Sequence, residues 1–215
     1  MARAFQRDGD GVRGELDADE RALVSELLEQ VLELVRPDDA GGPTHGPGDE
    51  FSAIVAGLGP GFGHPVAGAE QRSEAAGERG FGRDADEENR DPAIDRLFPA
   101  GHREDEQAAS EFRRLTEPGL RARKAANIET ALSVLATGSG ELRLDHGQAV
   151  AFMVALTDVR LVIGERLGMR TDEDAEQVHA LADVLPQTHP ATFALTVYDF
   201  LTWLQEGLAE ALLPR

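Results

Sequence analysis

One stretch restricts the fold more than any other: Gln148 to Gly168, reading QAVAFMVALTDVRLVIGERLG. Ala149, Phe152, Leu156, Val159, Ile163 and Leu167 recur at three- and four-residue steps, the period of an α-helix. Val150, Val154, Leu161 and Val162 make most of the remaining surface apolar as well. A helix that is apolar all round is one that other elements surround. Asp158, Arg160, Glu165 and Arg166 interrupt it well short of the roughly eighteen apolar residues of a membrane span. The stretch therefore predicts the central helix of a small helical bundle.

The rest of the chain supplies the wrapping. Ala4 to Leu16 reads as a β-hairpin, with Phe5 and Val12 in the flanking runs and Asp8-Gly9-Asp10-Gly11 as a tight turn. Those four residues lack the further oxygen ligands and distal Glu of a calcium loop. Asp17 or Asp19 caps a helix to about Val35, with Leu23, Leu27, Val31 and Leu34 as its apolar stripe and Leu28, Leu32 and Val35 widening it. Pro37 ends it.

Residues 37–90 differ in character. Glycine and proline recur, charges crowd the second half, and only Phe51 to Leu58 holds a short apolar cluster. So little apolar surface cannot offset the entropy of ordering the segment, which we read as a flexible acidic Gly/Pro-rich insertion or linker. Its GLGPGFG run lacks the preceding strand, following helix and Lys-Ser/Thr ending of a phosphate-binding loop.

Helical signals resume at Asp91-Pro92, a cap followed by a proline at the first helical position, with Ile94, Leu97 and Phe98 as one apolar turn. Glu104 to Leu115 predicts a further helix, acidic at its start and basic at its end. Thr116 then caps another, which tolerates Pro118 in its first turn and points Leu120, Ile128, Leu132 and Leu135 inward. Gly138-Ser139-Gly140 breaks it. The alternating run 141–144 can pair with the hairpin, and Asp145 with Gln148 forms a capping box for the central helix. Thr171 and Asp174 open a helix through about Leu185. Pro190 opens the last, where Phe193, Val197, Phe200, Leu201, Leu204, Leu208 and Leu212 repeat at helical spacing. The expected fold is mainly α: a small helical bundle around a buried central helix, with a minor N-terminal β-hairpin, or a three-stranded sheet once 141–144 is added. Residues 1–36 and 91–215 form one helical domain.

Chemistry is sparse. Cysteine is absent, which excludes disulfides, thiolate metal sites and cysteine nucleophiles within this chain. None of the histidines (His45, His64, His102, His146, His179, His189) pairs with another at i+3 or i+4, and no serine sits in a G-x-S-x-G setting. No catalytic residue, metal site or cofactor is expected. A net charge of −19 argues against general affinity for nucleic acid or an anionic membrane surface. The start of the chain carries no apolar signal segment, so we expect a cytoplasmic protein.

Three polar or aromatic features stand out. Asp158 and Arg160, inside the apolar helix, are either a ligand-holding pair or, as we read them, ion-pairing or capping groups that fix register. Arg113, Arg114, Arg121, Arg123 and Lys124 form the one basic cluster in an acidic chain and are the candidate partner-binding residues; they could equally be solvated helix faces, or balance the acidic insertion. Trp203 and Tyr198 could anchor a partner, although their spacing suits the core.

The blocks MARAFQRDGDG, DPAIDRLFPAGHREDEQAASEFRRLTE, LRARKAANI and YDFLTWLQEGLAEAL, in that order, resemble an actinobacterial family long labelled as of unknown function, some members of which are described as the oxidative-stress transcriptional regulator AosR. The likeness covers the N-terminal hairpin and helix and nearly everything after Asp91. It implies a non-enzymatic cytoplasmic regulator that works through protein partners, such as a sigma factor or other transcription component. Redox sensing in that family is attributed to a cysteine pair, which this chain lacks, so the switch does not carry over and no family site residue maps here. The alternatives are a winged-helix-like regulator that binds DNA directly through the basic cluster and, further away, a His/carboxylate metal enzyme. A monomer and a homodimer both accord with the sequence.

Overall fold

A two-residue turn at Gly9 and Asp10 folds the N-terminal segment back on itself as β1 (Arg3–Asp8) and β2 (Gly11–Glu15), paired antiparallel. Gly9 takes a left-handed φ of 61°, which the first position of such a turn requires and a side chain would resist. The computed structural model describes residues 3–36, 91–99, 101, 106–137, 140–182, 184–186 and 188–213. The acidic segment 37–90, with its GLGPGFG run and its Phe51 to Leu58 cluster, lies outside them, as do His45, His64, His102 and residues 138–139. β3 (Glu141–Leu144) pairs antiparallel with β2, Val12 facing Leu144 and Gly14 facing Leu142. The alternating run therefore does complete a three-stranded sheet, in the order β1-β2-β3.

The sheet is dry on the face that carries Phe5, Val12, Leu142 and Leu144. Phe5 lies across Gly14, where a Cβ would come within 2.5 Å of its ring. That close approach seats Phe5 edge-on against Phe152, with ring centroids 6.1 Å apart and planes at 81°.

Six helices follow. α1 (Ala18–Val35) starts at Asp17, whose carboxylate accepts from the Asp19 and Glu20 amides while Glu20 returns a bond to the Asp17 amide. α2 (Pro92–Leu97) is capped by Asp91 and buries Ala93, Leu97 and, just past its end, Phe98. α3 (Glu106–Leu135) is one continuous helix with Pro118 inside it, where the sequence predicted a division at Thr116. The Thr116 hydroxyl donates back to the Phe112 carbonyl at 2.8 Å and does not cap forward. Pro118 leaves the Arg114 carbonyl without its helical donor, but both residues are exposed, so water can take that place. Leu120, expected inside, is 37% exposed; the inward face is carried by Ile128, Ala131, Val134 and Leu135.

α4 (His146–Arg166) is the predicted central helix, opened by the Asp145–Gln148 capping box. α5 (Asp172–Ala182) begins at the reciprocal Thr171–Asp174 pair, and α6 (Pro190–Leu212) at His189, whose Nδ1 accepts from the Ala191 amide. α4 packs against α1, α2, α3 and α6 and against β2 and β3. All six residues of its main stripe are buried. It is not enclosed on every side, however: Val150 is 37% exposed, and Val154 and Leu161 are half-buried. By length and composition α4 could cross a membrane, yet 56% of its most apolar window is buried inside the protein, as a core helix would be. Residues before and after 37–90 share this one core.

Candidate partner-binding surface

The polar residues of α4 show what the bundle has already committed. Asp158 is buried in the α3–α4 interface, where Lys124 Nζ donates to its Oδ1 at 2.5 Å. Burial pushes the Asp158 carboxyl above its ordinary range, against the opposing pull of the Lys124 ammonium. Arg160 faces the other way, donating to Gln205 Oε1 at 2.5 Å and the Tyr198 hydroxyl at 3.1 Å on α6. Gln205 in turn donates to Thr157 at 2.6 Å. Asp158 and Arg160 thus fasten α4 to different neighbours, one helix on each side.

The basic cluster is partly consumed by the same architecture. Arg121 donates to the Leu34 and Val35 carbonyls at 3.0 and 3.1 Å, capping the C-terminal end of α1, and it pairs with Glu117 at 2.7 Å. Its guanidinium lies 4.7 Å from the Phe98 ring centroid, and Lys124 approaches the same ring at 5.9 Å. The sequence alone allowed these two cations to be solvated helix faces. Phe98, the C-terminal end of α1 and Asp158 in the middle of α4 draw them in, because a buried ring, unpaired carbonyls and a buried carboxylate all favour positive charge. Of the other three, Arg114 and Arg123 are exposed and Arg113 is half-buried. Two of the five candidate partner-binding residues are thus engaged within the bundle.

Among the described residues, no group of three or more His, Asp or Glu side chains is placed to hold a metal ion. An apolar crevice under α5, lined by Leu167, Val178, Leu181, Ala182, Leu185 and Ala191, contains no acid, base or nucleophile. His179 is tied to the Ala175 carbonyl and to Asp199.

The structure leaves an aromatic strip on α6 instead. Phe193 and Trp203 are 42% and 39% exposed, against the core role their spacing suggested, while Tyr198 is half-buried against Arg160. Phe200 stacks on Trp203 with ring centroids 6.3 Å apart and planes at 23°. Phe193, Phe200 and Trp203 follow one face of the helix at helical spacing. The strip is legible in retrospect: α6 has more apolar positions than one buried face can accommodate.

A family model described as a domain of unknown function, DUF2017, matches residues 2–212. The chain is similar to the oxidative stress regulator AosR of Mycobacterium bovis, 27% identical over 98% of this chain and 86% of that protein. The protein of the same name from Mycobacterium tuberculosis gives the same figures. A putative oxidative stress regulator AosR of Mycobacterium leprae is 31% identical over 55% of this chain and 51% of its own length. No solved structure matches the chain.

Proposed function

This chain belongs to the DUF2017 family, and from that footing we propose that it is a non-enzymatic cytoplasmic regulator of the oxidative-stress response that acts by binding a protein partner. The observation that carries the reading is the likeness to proteins named as oxidative stress regulators along 98% of this chain. The exposed aromatic strip supports it, since clustered surface aromatics are a feature of binding surfaces rather than of inert ones. The partner class is a sigma factor or another component of the transcription machinery. With no cysteine, the chain has no thiol–disulfide route to sense oxidants. Direct DNA binding is the weaker alternative, because Arg121 and Lys124 are committed within the bundle.

Affinity capture of the tagged full-length chain from its native host, before and after peroxide treatment, tests the proposal. The expected result is enrichment of a polymerase or sigma subunit that changes with peroxide. Recovery of neither, with the tagged chain folded and abundant, would overturn it.

A further inference from the structure

The aromatic strip has a definite electrostatic frame. α6 contains no Lys or Arg, and its acids Asp199, Glu206 and Glu210 are all exposed. Asp199 and Glu206 lie one turn before and one turn after Trp203, and Glu210 one turn beyond, beside the strip that Phe193, Phe200 and Trp203 define. α5, held alongside by the His179–Asp199 contact at 3.4 Å, is likewise free of Lys and Arg and opens on Asp172, Glu173 and Asp174. Apolar rings bordered by one sign of charge select an occupant that is apolar on one side and oppositely charged beside it.

We propose that the α6 strip is the docking surface for a basic amphipathic helix of the partner. Its apolar residues, spaced i, i+3/i+4, i+7, would cover Phe193, Phe200 and Trp203, and its flanking Lys or Arg would face Asp199, Glu206 and Glu210. Charge decides against a second copy of this chain, which would set like-charged helices face to face in a molecule of net charge −19. The inference deepens the regulatory reading and rests on it for the partner's biological role, but not for the chemistry of the surface.

Trp203 is the one tryptophan in the chain, so intrinsic fluorescence reports on the strip directly. The test titrates the full-length chain with a tryptophan-free Leu/Lys helical peptide and with its Leu/Glu counterpart. The Leu/Lys peptide is expected to give a saturable blue shift of Trp203 that weakens with salt, and the Leu/Glu peptide none. By anisotropy of the labelled peptide, Trp203→Ala and, separately, Glu206→Lys with Glu210→Lys should each weaken binding at least about tenfold. Circular dichroism confirms that the variants are folded; the paired Lys variant touches only exposed positions and guards against a misfolded Trp203→Ala. Binding by both variants as tight as that of the unaltered chain, equal binding of the two peptides, or a sedimenting dimer that buries Trp203 would each overturn the docking site. Retention of the host partner by a Trp203→Ala chain would also overturn it while leaving the regulatory reading intact; loss of all host partners by the unaltered chain would count against that reading alone.

Discussion

Lys124 and Asp158 meet across the α3–α4 interface with unequal access to water: the lysine side chain is 19% exposed, the aspartate 2%. The carboxylate has given up nearly all its hydration, and its Oδ2 has no hydrogen-bond partner, so its charge depends on the single ammonium. Replacing Lys124 by Met should cost about 3–5 kcal/mol, because it leaves a buried charge unpaired. Adding Asp158→Leu should restore most of the loss. Urea unfolding midpoints decide it; a single variant as stable as the parent would contradict the pairing.

The same carboxyl sets a pH dependence of unusual sign. Burial raises its native value above the ordinary 3.8, so in the window above 3.8 the folded chain holds this proton more tightly than the unfolded one. Its contribution to stability is present at low pH and declines as pH rises through the window. Asp17 and Asp174 act oppositely: backbone amides at Glu20 and Thr171 hold them below 3.8, so their contribution is lost as the medium turns acid. An Asp158→Asn variant should therefore gain stability relative to the parent as pH rises from 3.8 through the raised value. Denaturation curves across that range check the slope, and an unchanged difference would refute it.

Two glycines should respond to alanine with opposite signs. A Cβ on Gly11 would lie 2.4 Å from the backbone oxygen of Leu144, in the β2–β3 pairing, and nothing flexible can yield. Gly11→Ala should cost about 1–3 kcal/mol. Gly119, inside α3, meets nothing within 4 Å. Gly119→Ala should stabilise by up to about 1 kcal/mol through helix propensity. Thermal unfolding separates the two.

Between α4 and α6 the polar chain Thr157–Gln205–Arg160–Tyr198 predicts a graded response. Gln205→Leu takes the acceptor from an Arg160 donor and the donor from the Thr157 hydroxyl oxygen, and should cost about 1–3 kcal/mol. Tyr198→Phe removes one acceptor of a guanidinium that keeps another, and should cost about 1 kcal/mol or less. Equal losses in chemical denaturation would show that the network does not work as a chain.

Local signals carried much of this fold. Caps at Asp17, Asp91, Asp145 and Thr171 work through bonds to amides two or three residues away, so the sequence shows them directly. The buried stripe of α4 was equally plain. What escaped depends on distant partners. Thr116 and Pro118 look like a helix start, and nothing nearby reveals that the helix continues through them. Arg121 and Lys124 look solvated until Phe98 and Asp158 are brought beside them. Trp203 has helical spacing whether its face is covered or bare, and only packing tells which. The candidate surface was thus present in the sequence as residues but not as a surface.

Arg7, on the first strand, donates through Nε to the Ala211 carbonyl and through Nη2 to those of Leu212 and Leu213, where α6 runs out. β1 and α6 therefore close the bundle together, though some two hundred residues separate them in the chain. The hairpin is local in the chain, but the core between β1 and α4 closes only once α6 has packed against both. Until then the nascent bundle shows apolar surface to the cell. A chain cut short within α6 would therefore be a substrate for chaperones and proteases rather than a shorter folded protein.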